Sequence, residues 1–296
     1  MSIFTGAGVA LVTPFKEDLS VDYDQLEKFI DFQIDNGTDS IVICGTSGEA
    51  STMSHDEQIE VVSACVSHVN GRVPVIAGAG ANCTDEALNL AKRSEKAGAD
   101  GLLVVTPYYN KATQKGLEEY YTTVGNSVDI PIIMYNVPGR TGLNISVDTV
   151  VELAKHKNIQ AMKDATDNIA YAMEVLAKTA DLDFDLYSGC DDNILPFMAA
   201  GGKGVISVTS NLYPEAVEKL TQLILKGNIK EAQPLAYALD PISRLLFIDV
   251  NPIMPKAALA KMGVCGEHLR LPLIETTEEN KKALFDAMDT FEKLGY

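Results

Sequence analysis

The sequence predicts an α/β fold, a (β/α)8 barrel with a helical C-terminal extension, and three observations carry that expectation. Short apolar stretches alternate with helical patterns eight times in roughly 225 residues, a rhythm that fits a closed barrel better than an open sheet with a switch point. Several of the loops after those stretches hold hydroxyls, tyrosines or a cation, as the carboxyl-terminal mouth of a barrel would require. From Gly227 onward the alternation stops and only helical patterns remain. The expected division is a catalytic barrel over residues 1–227 and a helical extension over 228–296, packed on the barrel because no low-complexity tract separates them.

The elements follow in order. Residues 9–14 are the first apolar stretch, preceded by Gly6-Ala7-Gly8; the helix after them places Leu26, Phe29, Ile30 and Ile34 on one face and stops at Gly37. Residues 41–44 come next, and Ser54-His55-Asp56-Glu57 has the form of a capping box opening a helix that ends near Gly71. The third unit is 73–77 with a helix over 84–97, closed by Gly98. The fourth pairs 101–105 with 114–127, and the fifth pairs 132–135 with 146–155. The sixth strand ends on Lys163 and its helix spans 168–180. Strands at 185–188 and 204–208 complete the set, with helices at 193–200 and 214–226. Beyond them 228–248, 255–262 and 276–294 read helical.

Composition bounds the function. Hydrophobic residues at 46% and charged residues at 22% are those of a soluble globular protein. A formal charge of −17 with no Lys/Arg cluster excludes a nucleic-acid partner, and any anionic substrate must be drawn by local cations. The five cysteines, Cys44, Cys65, Cys83, Cys190 and Cys265, are scattered with no CxxC, which fits a reduced cytosol. No apolar run approaches the ~20 residues that span a bilayer, and no leader pattern is visible, so the expectation is a cytoplasmic chain with no membrane partner. His55, His68, His156 and His268 have no metal-binding spacing, and neither Gly6-Ala7-Gly8 nor Gly78-Ala79-Gly80 completes a dinucleotide fingerprint. Neither a metal nor a nucleotide cofactor is expected.

The chemistry centres on Ile159-Gln160-Ala161-Met162-Lys163-Asp164-Ala165. Alternation puts Ile159, Ala161 and Lys163 on one strand face, so the lysine closes a line of buried side chains. Read alone, it is either a nucleophilic amine, neutral because burial disfavours the charge, or a lysine snorkelling to solvent. Gly45-Thr46-Ser47-Gly48-Glu49 offers hydroxyl and backbone donors to a small carboxylate, or is simply a tight turn. Tyr108 and Tyr109 suit packing or an interface, Tyr135 can pass protons from a strand end, and Arg140 can clamp a carboxylate or stand solvated. Asp164 is expected to be a solvated strand-end carboxylate. Together these loops supply hydroxyls, a phenol, a guanidinium and an amine around one barrel mouth.

Gly45-Thr46-Ser47-Gly48-Glu49, Tyr135-Asn136-Val137-Pro138-Gly139-Arg140-Thr141, Lys163-Asp164-Ala165-Thr166 and Gly204-Val205-Ile206-Ser207-Val208 resemble the dihydrodipicolinate synthase family. The resemblance runs the whole chain, including Asn251-Pro252-Ile253 and Leu269-Arg270-Leu271-Pro272. The Lys-Asp strand end alone would indicate only the wider pyruvate-dependent class I aldolases and lyases, and Arg140 points to the synthase branch. The resemblance implies a Schiff-base lyase that condenses pyruvate with L-aspartate 4-semialdehyde, the committed step toward diaminopimelate and lysine. It implies Lys163 as the imine-forming residue. Tyr135, Thr46 and Tyr109 become a proton relay, with Tyr109 entering from a neighbouring subunit of a homodimer or a tetramer built as a dimer of dimers. Thr46 and Ser47 would hold the pyruvate carboxylate and Arg140 that of the aldehyde, with Gly189 and the Ile206 backbone lining the site. Ser47 stands where the family usually has a second threonine, which implies altered affinity rather than altered chemistry. Ser51, His55, Gln58, Asn82, Glu86 and Tyr108 match a site where L-lysine inhibits many members, although Gln58 replaces the histidine of one strongly inhibited group. Two other readings stay open: a related aldolase cleaving a sugar acid to pyruvate, and a non-catalytic sensor of an amino acid or keto acid.

Overall fold

The computed structural model describes residues 2–295; Met1 and Tyr296, the outermost residues of the two expected segments, lie outside them. Eight parallel strands close into one barrel in chain order: β1 (Gly6–Ala10), β2 (Ser40–Ile43), β3 (Val75–Gly78), β4 (Gly101–Val105), β5 (Ile132–Asn136), β6 (Ile159–Asp164), β7 (Asp185–Ser188) and β8 (Gly204–Ser207). Between and after them lie α1 (Tyr23–Asp35), α2 (His55–Val69), α3 (Thr84–Lys96), α4 (Gln114–Gly125), the single turn α5 (Pro138–Thr141), α6 (Val147–Leu153), α7 (Ile169–Thr179), α8 (Ile194–Ala199) and α9 (Pro214–Leu225). The chain then continues as α10 (Ile229–Leu245), α11 (Ile253–Lys261) and α12 (Glu278–Lys293) without a further strand among the described residues. This is a TIM barrel with helices appended at its C-terminal end.

Closure explains where the first strand begins. Gly6-Ala7-Gly8, expected ahead of the strand, lies inside β1 and pairs with Gly204, Val205 and Ile206 of β8. A Cβ on Gly204 would stand 2.1 Å from the Gly6 carbonyl oxygen, and one on Gly8 2.6 Å from Ser40 Oγ. Gly204 is thus where the seam between first and last strands leaves no room for a side chain, while Gly8 is hemmed in by Ser40 of β2 on the other edge of β1.

Helix starts follow their caps. Ser54, Thr113, Ser146, Asn168 and Thr277 each accept a backbone N–H three residues on, an interaction worth about 1 kcal/mol per helix. At Ser54 the Glu57 carboxylate also takes a two-pronged hydrogen bond from Arg270, at 2.6 and 2.7 Å, which ties α2 to the C-terminal segment.

That segment is joined to the mouth of the barrel at several points. Lys256 of α11 is wholly buried, pairs with the equally buried Glu49 at 2.5 Å, and donates to the His268 carbonyl at 2.7 Å. Its ammonium and the Arg270 guanidinium lie 3.9 and 4.3 Å from the centre of the Phe15 ring. Two cations on one ring are tolerable because Glu49 and Glu57 balance them. Among the described residues, no helix is long and apolar enough to cross a membrane.

Candidate active site

At the carboxyl end of β6, Lys163 pairs in register with Tyr135 of β5 and Tyr187 of β7. Its side chain is only 5% exposed, and its Nζ lies 4.5 Å from the centre of the Tyr135 ring. A Cβ on Gly189 would stand 3.0 Å from Lys163 Cε and 2.8 Å from the Ala165 methyl, so a glycine there makes room for the lysine stem. Lys163 opens into a cavity of about 380 Å³ bordered by Thr46, Ser47, Tyr135, Arg140, Gly189 and Asn251, among others. An amine, a phenol, two hydroxyls and a guanidinium thus border one cavity, which suits attack on the carbonyl of a small carboxylate. Among the described residues, no group of three or more His, Cys, Asp or Glu side chains could hold a metal.

The loop after β2 is held from several sides. Thr13 Oγ1 donates to the Gly48 carbonyl at 2.8 Å, and a Cβ on Gly48 would meet the Leu11 carbonyl at 3.2 Å. Ser47 is buried, and its Oγ accepts from Asn251 Nδ2 at 2.9 Å. Glu49 sits in the left-handed region, φ 54°, its carboxylate turned to Lys256 and to the Arg270 N–H. The last residue of that loop is therefore an anchor, while Thr46 and Ser47 face the cavity. Arg140 lies on α5, a four-residue turn with no periodicity for sequence reasoning to find. Its side chain is exposed, borders the cavity, and donates from Nη2 to the Asn251 carbonyl at 3.3 Å.

Two carboxylates differ from expectation. Asp164 is not solvated: it is 3% exposed and accepts from the Thr166 N–H and Oγ1 at 3.2 and 3.0 Å. Burial pushes its carboxyl up to about 6, partly offset by those hydrogen bonds. Alternation turns it to the face of β6 opposite Lys163, towards Tyr171 of α7, and the strand still pairs there with Asn136 and Ser188. Asp191, which sequence reasoning passed over, borders the cavity and accepts from Ser207 Oγ at 2.5 Å and from the Val208 and Thr209 N–H groups at 2.9 and 3.1 Å. Burial raises its carboxyl, offset in part by those three hydrogen bonds and, least, by the Lys163 charge. An Asp-Asp pair after a strand gives no signal that one of its members will be buried.

The remaining residues divide. Ile206 is fully buried within β8 and paired with Gly8, two residues short of Val208, which borders the cavity. Tyr109 is 90% exposed at a positive φ of 72° and does not border the cavity of its own chain. A second cavity of about 480 Å³ is lined by Ser51, His55, Gln58, Glu86 and Tyr108, and shares Thr46, Tyr135 and Arg140 with the first. Asn82 is not on that lining; its carbonyl accepts from Asn110 Nδ2 at 2.9 Å. Gln58 is buried with its amide nitrogen committed to the Ala50 and Met53 carbonyls, at 2.8 and 3.3 Å.

Residues 3–290 match the sequence model of the dihydrodipicolinate synthetase family. The chain belongs to that family. A 4-hydroxy-tetrahydrodipicolinate synthase from Lachnoclostridium phytofermentans is 50% identical over 289 residues, covering 97% of this chain and 98% of its own. Among solved structures of the dihydrodipicolinate synthetase family, the chloride-inhibited enzyme from Acinetobacter baumannii complexed with pyruvate is 40% identical, with a TM-score of 0.95 over 97% of this chain and 99% of that one. The enzyme from Cyanidioschyzon merolae with lysine bound is 37% identical, with a TM-score of 0.95 over 99% of both chains.

Proposed function

We propose that this chain condenses pyruvate with L-aspartate 4-semialdehyde through a Schiff base on Lys163, the reaction after which its relatives are named and the committed step toward diaminopimelate and lysine. The observation that carries the reading is the buried Lys163 amine against the Tyr135 ring at the floor of a cavity whose rim holds Ser47 and Arg140. Lys163 Nζ adds to the keto carbon and water is lost; a proton leaves the methyl group, the resulting enamine carbon attacks the aldehyde, whose oxygen takes up a proton, and the amine of the semialdehyde then displaces Lys163 from the imine carbon, closing the ring and freeing the lysine. Tyr135 and Thr46 carry protons to and from these centres, completed by Tyr109 of a second copy of the chain, whose exposure suits reaching outward. Thr46 and Ser47 bind the pyruvate carboxylate, Arg140 the carboxylate of the aldehyde, and Gly189 and the end of β8 at Ile206 shape the wall. Residues 1–227 form the catalytic barrel and 228–296 the extension that braces its mouth. The covalent carrier is the lysine itself, so the reading calls for no cofactor, and its substrates place it in the cytoplasm.

The second cavity is read as a lysine site because Glu86 and Tyr108 on its lining suit an amino acid's ammonium and carboxylate, with Ser51, His55 and Gln58 beside them; Asn82, assigned with them, stands off that lining. Its shared wall with the first cavity gives a bound amino acid a direct route to Tyr135 and Thr46.

The experiment is pyruvate consumption by the purified protein with the aldehyde present, beside Lys163→Ala and beside an incubation without the aldehyde. Consumption should need both the aldehyde and Lys163, and borohydride should trap pyruvate on the native chain only. Adduct without consumption would send the assignment to a sugar-acid aldolase; ligand binding that survives Lys163→Ala, with no adduct on the native chain, would leave a sensor. Repeating the assay with lysine added should slow it, and neither binding nor a rate change would remove the lysine site.

A further inference from the structure

Asn251 belongs to none of the groups assigned a role above, yet it stands between two of them. It lies in the connection between α10 and α11, is 5% exposed, and borders the cavity. Its Nδ2 donates to Ser47 Oγ at 2.9 Å, across a sequence separation of 204 residues. Its Oδ1 is buried and accepts nothing. The single hydrogen bond this side chain makes among the described residues is thus the one to Ser47. Within the chain the amide is therefore engaged with Ser47 alone, at the wall of the cavity.

A serine hydroxyl has one proton and two lone pairs, and it rotates freely unless a neighbour fixes it. With an N–H donating to its oxygen, the hydroxyl spends a lone pair on Asn251 and keeps its proton for another acceptor. Ser47 faces the cavity, so that acceptor is whatever anionic group enters. If the amide instead presented Oδ1, Ser47 would donate to it and meet an incoming carboxylate with lone pairs only.

We infer that Asn251 is a positioning residue that locks the Ser47 hydroxyl as a donor, so that a single side chain from the helical extension sets the affinity of the barrel for the first carboxylate substrate. The inference rests on the reading of Ser47 as a ligand of pyruvate. It also separates the two substrates. Arg140 is held by the Asn251 main-chain carbonyl, which side-chain replacement leaves in place, so the aldehyde end of the cavity is an internal control.

The test is steady-state kinetics on Ser47→Ala, Asn251→Ala, the double variant and Asn251→Asp, with thermal melts alongside. Asn251→Ala should raise the pyruvate KM about threefold to tenfold, the size expected for one misoriented hydrogen bond, with the aldehyde KM unchanged. In the Ser47→Ala background the same change should add less than about twofold, because the residue acts through the hydroxyl that is gone. Asn251→Asp, of the same shape, should raise the pyruvate KM further than Asn251→Ala, since a carboxylate pulls the Ser47 proton toward itself and repels the substrate. Equal effects of Asn251→Ala in both backgrounds would overturn the inference, as would an unchanged pyruvate KM in Asn251→Ala when Ser47→Ala raises it. An unchanged KM in Ser47→Ala itself would instead remove the role given to Ser47, and the inference with it. If Asn251→Ala does not fold, Asn251→Asp in the two backgrounds carries the same comparison.

Discussion

Lys163 and Asp164 are neighbours on one strand, and both are buried, but only one of them was legible as such. The lysine announces itself because it ends an alternating apolar line at the end of a strand where barrel chemistry collects. Nothing local distinguishes a solvated aspartate from one folded inward, and Asp164 is held by Thr166 two residues on. Its raised carboxyl has a consequence for stability. Between the usual 3.8 and about 6 the folded chain holds a proton that the unfolded chain has released, so stability falls as pH rises through that window and levels off above it. The difference is on the order of 3 kcal/mol for this one group. Asp164→Asn, which has no proton to lose, should therefore gain in melting temperature relative to the native chain as pH is raised from about 4 to about 6.5. A gap between the two that stays constant with pH would show that the carboxyl titrates alike in both states.

At the scale of the element, the barrel and its helices were readable because most strands are largely apolar and several helices open on a capping side chain such as Ser146 or Asn168. Two elements were not. β1 begins at Gly6, which pairs with Gly204 of β8 almost 200 residues away, a partner that no local pattern shows, and α5 is too short for any period to show. The loop after β2 falls between these cases: Thr46 and Ser47 border the cavity, but Glu49 beside them is committed to Lys256 of α11. That pair is what fixes the loop against the extension. Removing one partner leaves a buried charge without its counter-ion, so Lys256→Met or Glu49→Gln should each cost about 3–5 kcal/mol in unfolding free energy, read by denaturant titration. The double variant should recover much of that loss. Because Glu49 shapes the loop that carries Ser47, the single variants should also raise the pyruvate KM. A double variant as unstable as the two losses summed would mean that the residues contribute separately.

At the scale of the whole molecule, the acidic surface of a chain with net charge −17 leaves few cations to draw anionic substrates, and Arg140 at the cavity rim is one of them. The same scale governs Tyr109, whose 90% exposure and left-handed backbone at φ 72° are costly for a bulky aromatic unless something receives it. In the reading proposed above, the receiver is the cavity of a second copy. Each site then takes Lys163 from one chain and Tyr109 from the other, and two chains defective in different residues can repair one another. Lys163→Ala subunits keep a working Tyr109, whereas Tyr109→Phe subunits keep a working Lys163. Co-expressed with separable tags and purified as a mixed dimer, the pair should hold one complete site in two, with activity near half that of the native dimer and well above either parent alone. A mixed dimer no more active than the better parent would place Tyr109 outside the relay, and its exposed ring would then be a packing residue of the interface alone.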